Sequence, residues 1–191
     1  VVSENKKVLG IIGIADAVKE DSLNAIFELK EMGFRVVMIT GDNERTAHAI
    51  AEQVGIKEVI ANVLPEDKAK KVEELQEEGM VSFVGDGIND APALKQSNVG
   101  IAMGTGTDIA IESGDIVLAN GNLSGVVSAI RLSKATFKKI KQNLFWAFAY
   151  NIIAIPVAIA GLLHPVIAEI AMALSSITVV TNANLLRNKK I

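Results

Sequence analysis

Residues 84–94 read Val-Gly-Asp-Gly-Ile-Asn-Asp-Ala-Pro-Ala-Leu (VGDGINDAPAL), and the placement of that loop decides the fold. The run before it, Met80-Val81-Ser82-Phe83-Val84, is short and mostly apolar, so it reads as a strand over 80–84 that ends in an acidic loop. Asp86 and Asp90 stand four apart with Asn89 between them, a set of hard oxygen donors suited to Mg²⁺. A second acidic loop, Thr40-Gly41-Asp42-Asn43, ends a strand expected over 35–39. Ligands of open α/β sheets bind outside the carboxyl ends of strands, where both loops fall.

Working outward, further strands are expected over 8–14, 58–61, 99–102 and 116–118, alternating with amphipathic stretches. Ala25, Ile26, Leu29 and Met32 share one helical face, as do Ala69, Val72 and Leu75. This alternation predicts an α/β unit, a parallel sheet covered by helices. Pro65, Glu66 and Asp67 suit the first turn of a helix that carries Lys68. A Thr at a strand end can offer hydroxyl and backbone N–H to a phosphoryl oxygen, Gly41 allows close approach, and Lys68 can offset phosphate charge. Taken singly, Thr-Gly-Asp is also an ordinary turn and Lys68 an ordinary solvated lysine.

The charged residues stop at Lys141: from there to Arg187 the only one is Glu169. A long helix bearing Lys134, Lys138, Lys139 and Lys141 runs without a breaker into the apolar stretch 144–163. A second such stretch covers 166–186, and Gly161, His164 and Pro165 make the turn. Each is about 20 residues, long enough to cross a bilayer. Basic residues flank both outer ends (Lys138, Lys139, Lys141; Arg187, Lys189, Lys190), so the positive-inside rule places both ends in the cytoplasm. Trp146 suits an interfacial anchor. A buried helical hairpin of a soluble protein is the alternative. The net charge of −3 gives no case for nucleic-acid binding, and with no cysteine there is neither disulfide nor thiolate site. Residues 1–7 lack the order of a signal peptide, and the first residue is Val, so a piece of a longer protein is expected.

The runs 40–43 and 84–94 together closely resemble the haloacid-dehalogenase-like phosphorylation domain of P-type ATPases. The resemblance implies that Thr40, with Gly41 and Asp42, binds an aspartyl-phosphate, that Lys68 neutralises it, and that Asp86, with Asn89 and Asp90 supporting, holds Mg²⁺. Asp16 resembles the hinge aspartate of such pumps, although a helix-capping role accounts for it equally well. Tyr150-Asn151 with Pro156, and Met172-Ala-Leu-Ser175-Ser176, resemble the membrane signature of Cu(I) exporters, so Tyr150, Asn151, Met172 and Ser175 are candidates to face transported Cu⁺. Met172, Ser175 and Ser176 share a helix face, and Asn151 and Ser175 lie at similar depth, roughly 13 and 16 Å from the cytoplasmic ends at ~1.5 Å per residue. The soft thioether favours Cu(I). The same residues also commonly serve helix packing. Glu169 falls near the outer end of its helix, and His164 reads as a wetted loop residue.

The expected organisation is an incomplete Rossmann-like haloacid-dehalogenase-type sheet over 1–121, a linking amphipathic helix over 122–142, a transmembrane hairpin over 143–186 and a cytoplasmic tail over 187–191. No Asp-Lys-Thr-Gly-Thr run occurs in the chain. The resemblance therefore implies partners within one pump: a nucleophile strand, a nucleotide-binding domain for ATP, an actuator domain, other membrane helices and the lipid bilayer. By that resemblance the nucleophile strand lies between the strands ending at Thr40 and Val84, and the chain alone is not expected to hydrolyse ATP. Three alternatives remain: a pump for Zn²⁺, Cd²⁺ or another divalent ion, a soluble haloacid-dehalogenase-type phosphatase, and a non-catalytic assembly subunit.

Overall fold

The computed structural model describes residues 2–4, 7–10, 18–162 and 164–188, with the side chains of Ser3 and Asn188 excepted. Two units divide the chain, residues 1–126 and 127–191.

In the first unit a short antiparallel pair, β1 (Val2–Glu4) and β2 (Lys7–Gly10), precedes an alternating α/β series. The series runs α1 (Ser22–Glu31), β3 (Val37–Ile39), α2 (Glu44–Gln53), β4 (Glu58–Ile60) and α3 (Lys68–Gln76). It continues with β5 (Ser82–Gly85), α4 (Ala91–Gln96), β6 (Val99–Met103), α5 (Asp108–Ser113) and β7 (Ile116–Leu118). Every strand expected from residue 35 onward is present within two residues of its expected ends, and the ladders among them are parallel. The strand expected over 8–14 is seen as β2 up to Gly10, where it pairs antiparallel with β1; the remainder, and Asp16, lie outside the described residues. Among the described residues the pairing falls into two parallel sheets, β3-β4 and β5-β6-β7, and no ladder joins β3 to β5.

The helices bury the faces their periodicity predicts. Ala25, Ile26 and Leu29 of α1 and Val72 of α3 are buried. Leu94, Ala102 and Ala110 form a fully buried cluster with Phe83 packed against it, joining α4, α5 and β6 to β5. The polar caps are local. Asn43 accepts from Thr46 N at 3.0 Å to start α2, and Thr107 Oγ1 accepts from Ala110 N at 3.3 Å to start α5.

Asp21 acts at longer range. It precedes α1 but makes no side-chain cap there. Its carboxylate instead accepts Ser124 N–H at 2.8 Å, satisfying a donor in the first turn of the next helix, while Lys19 donates to Gly121 O. That helix, α6 (Ser124–Ile159), is a single 36-residue element, so the linking helix and the first apolar span are continuous. After a turn at Gly161, α7 (Pro165–Asn184) begins with His164 at its N-cap, where His164 Nδ1 accepts from Val166 N at 3.3 Å. The described helices include two that are long and apolar enough to cross a membrane.

In the second unit α6 and α7 are held antiparallel by polar contacts. Asn182 Nδ2 donates to Asn143 Oδ1 at 2.7 Å, Lys139 Nζ donates to Asn182 Oδ1 at 2.7 Å, and Tyr150 OH stands 3.5 Å from Thr178 Oγ1. Ala168, Ala171, Ser175, Thr178, Val179 and Asn182 are the half-buried positions of α7, spaced as one helical stripe, and this stripe carries the seam.

The Ser124 N–H holds the Asp21 carboxyl below the usual carboxylate range. A depressed folded-state value means the contribution is present above the unfolded value and is lost as pH falls through the folded one. Asp21→Ala should therefore lower stability by about 1 kcal/mol near pH 7, the scale of a lost cap. The gap to the parent should close toward pH 3, as read by thermal unfolding of the detergent-held chain across that range.

Candidate functional site

The candidate catalytic residues are gathered by three loops at the carboxyl ends of β3, β4 and β5. Thr40 ends β3. Its hydroxyl donates to Asp42 Oδ2 at 3.0 Å and accepts from Asp42 N at 3.1 Å, closing a tight turn on itself. Thr40 O then accepts from Val63 N at 3.1 Å, and Asp42 O from Asn62 N at 2.8 Å, which ties this loop to the one after β4. Asn62 makes the return by adopting a left-handed backbone, φ 54°, a region Asn enters more readily than most residues. From Val63 the chain leads through a single turn at Pro65–Asp67 into α3, whose first residue is Lys68.

Lys68 Nζ reaches Asp90 Oδ1 at 2.7 Å, with side chains only 17% and 12% exposed. The other Asp90 oxygen accepts from Gly87 N at 3.1 Å and Asp86 N at 3.3 Å. Gly85 makes room for this fold-back, because a Cβ there would stand 2.7 Å from Asp90 Cβ. The turn Pro65–Asp67 packs against the turn Ile88–Asp90. Thr40, Gly41, Asp42, Lys68, Asp86, Asn89 and Asp90 thus belong to one contiguous rim.

Their roles within it differ. Both Asp90 oxygens are engaged inside the protein, which makes Asp90 the organiser of the loop. Asp86 and Asn89 are exposed, and their side-chain oxygens make no hydrogen bond among the described residues. They offer the carboxylate and amide oxygens that a hard cation takes. Lys68 spends one of three donors on Asp90 and keeps two.

In the second unit the four transport candidates separate. Tyr150 and Ser175 are half-buried, whereas Asn151 and Met172 are exposed. Asn151 Nδ2 turns back to Ala147 O at 2.8 Å on its own helix, and Met172 is 70% exposed. The contacts Asn143 to Asn182 and Tyr150 to Thr178 set an antiparallel register that puts Asn151 close to the level of Ser175. Met172 lies roughly 4–5 Å nearer the connecting turn at ~1.5 Å per residue. Sequence reasoning missed the polar cluster of Lys139, Gln142, Asn143 and Asn182, although Asn182 follows Thr178 and Ser175 at helical spacing. It also missed the loop 104–107 at the end of β6, whose two glycines and two threonines were the available signal.

The other end of β3 and β4 carries a groove lined by Arg35, His48, Glu58, Lys71 and Glu78 among others. Arg35 binds Glu58 at 2.6 Å and also pairs with Glu78, and these bonds hold the Glu58 carboxyl low and raise the guanidinium further. All three are exposed, so this is a screened surface network.

Asp90→Ala should unpair Lys68 and release the Asp86 and Gly87 amides, costing about 1–3 kcal/mol. Hydrogen exchange should quicken at those two amides while the amide of Leu94 keeps its protection.

Residues 1–98 match the family model described as haloacid dehalogenase-like hydrolase. The chain is 55% identical over 97% of its length to a probable copper-exporting P-type ATPase V of Mycobacterium tuberculosis. It is 55% identical over 99% of its length to a copper-exporting P-type ATPase of Staphylococcus aureus. It spans about a quarter of these relatives, 24% and 23% of their lengths. Among solved structures, a zinc-transporting PIB-type ATPase in the E2.Pi state superposes with TM-score 0.88 at 42% identity, over 95% of this chain and 30% of that one. On the family match, the parallel α/β unit and these relatives, the chain belongs to the haloacid dehalogenase-like hydrolases and is recognised as a segment of the heavy-metal P-type ATPase kind.

Proposed function

We propose that residues 1–191 form part of an ATP-driven, membrane-embedded Cu(I) exporter that works through an aspartyl-phosphate. The observation that carries this reading is the match at 55% identity, over nearly the whole chain, to proteins named as copper-exporting P-type ATPases. The rim of candidate residues would supply the chemistry. Thr40 hydroxyl and the Gly41 turn would bind phosphoryl oxygens, and the two free Lys68 donors would offset their charge. Asp86 and Asn89 would hold Mg²⁺, which when bound would supply positive charge against the negative charge that builds up in phosphoryl transfer. Asp90 orients Lys68 and the Asp86 backbone.

The chain contains no Asp-Lys-Thr-Gly-Thr run, so in this reading the phosphorylated Asp, the nucleotide-binding domain and the actuator come from the rest of the pump, and residues 1–191 alone do not hydrolyse ATP. One feature supports a strand between β3 and β5: among the described residues each of the two has a ladder partner on one side only. Unpaired edges are costly, and a strand carrying the nucleophile would complete the sheet beside Thr40 and Asp86.

In the membrane, Asn151 and Met172 present an amide and a thioether on outward faces of the hairpin. Polar groups facing hydrocarbon are costly, so this reading turns them toward other helices of the pump, with Tyr150 and Ser175 on the adjoining seam. Both ends of the segment would lie in the cytoplasm, flanked by Lys138, Lys141 and Arg187.

The solved zinc-transporting relative favours a second reading, transport of a divalent ion. Such an ion is better balanced by a carboxylate near the middle of the membrane. The acidic residue of the apolar spans is Glu169, in the first turns of α7, far from the level of Asn151. A soft monovalent ion fits the neutral set better.

In the full-length pump, Asp86→Ala should abolish Mg²⁺-dependent phosphoenzyme formation. Met172→Leu conserves volume and apolarity, so a packing residue would tolerate it with unchanged transport. The Cu(I) reading expects lower copper stoichiometry and copper-stimulated turnover at unchanged thermal stability. Stimulation by Zn²⁺ with none by Cu⁺ would establish the divalent alternative instead.

A further inference from the structure

The backbone of Asp86 is gripped on both sides. Its N–H points to Asp90, as described above. Its carbonyl oxygen accepts from Thr107 N at 2.9 Å, a bond that crosses from the end of β5 to the loop after β6. The residue before Thr107 is Gly106, and there the approach is closer than any side chain allows. A Cβ on Gly106 would stand 2.3 Å from Asp86 O and 2.9 Å from both its carbonyl carbon and its Cα. Real Cβ contacts with fixed backbone do not occur at such distances, so a Cβ at 106 must displace either the Asp86 peptide or its own loop.

That loop has little freedom to retreat. Gly106 N donates to Met103 O at 2.8 Å, and Gly104 N donates to Leu118 O at 2.6 Å. Thr107 in turn starts α5, whose Ala110 is completely buried in the core cluster. A displacement would therefore fall on Asp86, which is exposed on its side-chain face and has room to move.

We propose that Gly106 and the Thr107 N–H form a backbone clamp that positions the Asp86 carboxylate for its cation, so that Gly106 and Thr107 are positioning residues of the site although neither touches a ligand. The proposal rests on the assignment of Asp86 as a cation ligand. The Asp86 carboxylate is placed through main-chain contacts, one bond to each flanking peptide group, and the absence of a side chain at 106 is what lets the second contact form. Outer-shell groups of this kind typically change metal affinity by about 10–100-fold when lost.

The test uses the full-length pump and two readouts: Mn²⁺ affinity in the absence of nucleotide, by electron paramagnetic resonance, and the Mg²⁺ concentration giving half-maximal phosphorylation. Mn²⁺ is an apt probe because it takes the same oxygen donors. Gly106→Ala should weaken Mn²⁺ binding on the order of tenfold and raise the Mg²⁺ requirement in parallel. Gly100→Ala is the structural control, since a Cβ there would stand 2.6 Å from Leu94 O, away from Asp86. It should lower thermal stability and leave the Mn²⁺ affinity unchanged.

A second pair isolates the hydrogen bond. Thr107 has φ −73°, which proline adopts without strain, so Thr107→Pro removes the N–H while Thr107→Ala keeps it, and both lose the hydroxyl cap of α5. Only the proline variant should weaken Mn²⁺ binding. Equal affinities in Thr107→Pro and Thr107→Ala, or equal effects of Gly106→Ala and Gly100→Ala, would overturn the clamp. Asp86→Asn separates the two levels. If it leaves Mn²⁺ affinity unchanged, the assignment of Asp86 fails. If it weakens binding while Gly106→Ala and Thr107→Pro do not, the assignment stands and the clamp is refuted.

Discussion

The ion pair between Lys68 and Asp90 is the constraint on which the arrangement of the first unit depends. The described parallel strands fall into two sheets that share no ladder, and Lys68 follows β4 in one while Asp90 follows β5 in the other. The pair therefore links the two sheets at the rim that carries the candidate site residues. Most of its surface is removed from water, so its value comes from complete pairing: loss of either partner leaves a poorly hydrated charge behind. Asp90 satisfies this condition fully, because its second oxygen collects the amides of Asp86 and Gly87. One carboxylate thus orients the lysine, closes the acidic loop and leaves the Asp86 side chain exposed and without a hydrogen bond among the described residues.

Packing reinforces the same geometry from below. Leu94 and Val72 are fully buried, and α3 packs against α4, so the helix that carries Lys68 and the helix that follows Asp90 are pressed together beneath the ion pair. Such contacts are non-directional and set distance; the charge-assisted bonds above them set orientation. Loop 104–107 adds a third support from the β6 side. The candidate site is consequently built less from its own side chains than from backbone groups that three loops hold in register.

The second unit uses a different balance. In an apolar hairpin there is little hydrophobic gain from bringing helices together, and the contacts that define the seam are polar: Asn182 with Lys139 and Asn143 toward one end, Tyr150 with Thr178 further along. This leaves Asn151 and Met172 outside the seam, where their chemistry is available to neighbours.

Much of this was legible in the order of the residues. Short apolar runs at 35–39, 58–61, 80–84, 99–102 and 116–118 became strands because local propensity and burial agree there, and the acidic loops follow at their ends because glycine, Asp and Asn break strands. Two apolar stretches of bilayer length became two helices for the same local reason, with no intervening breaker between Lys141 and Leu144. What the order of residues left open is which groups meet. The opposite fates of Asp86 and Asp90, alike in type and four residues apart, depend on Lys68 arriving from another element. The reach of Asp21 to Ser124 joins residues far apart in the chain, and the need for glycine at 106 comes from a carbonyl twenty residues earlier. Periodicity reports which face of an element is buried, but pairings across elements depend on distances of a few ångströms that only the packed chain defines.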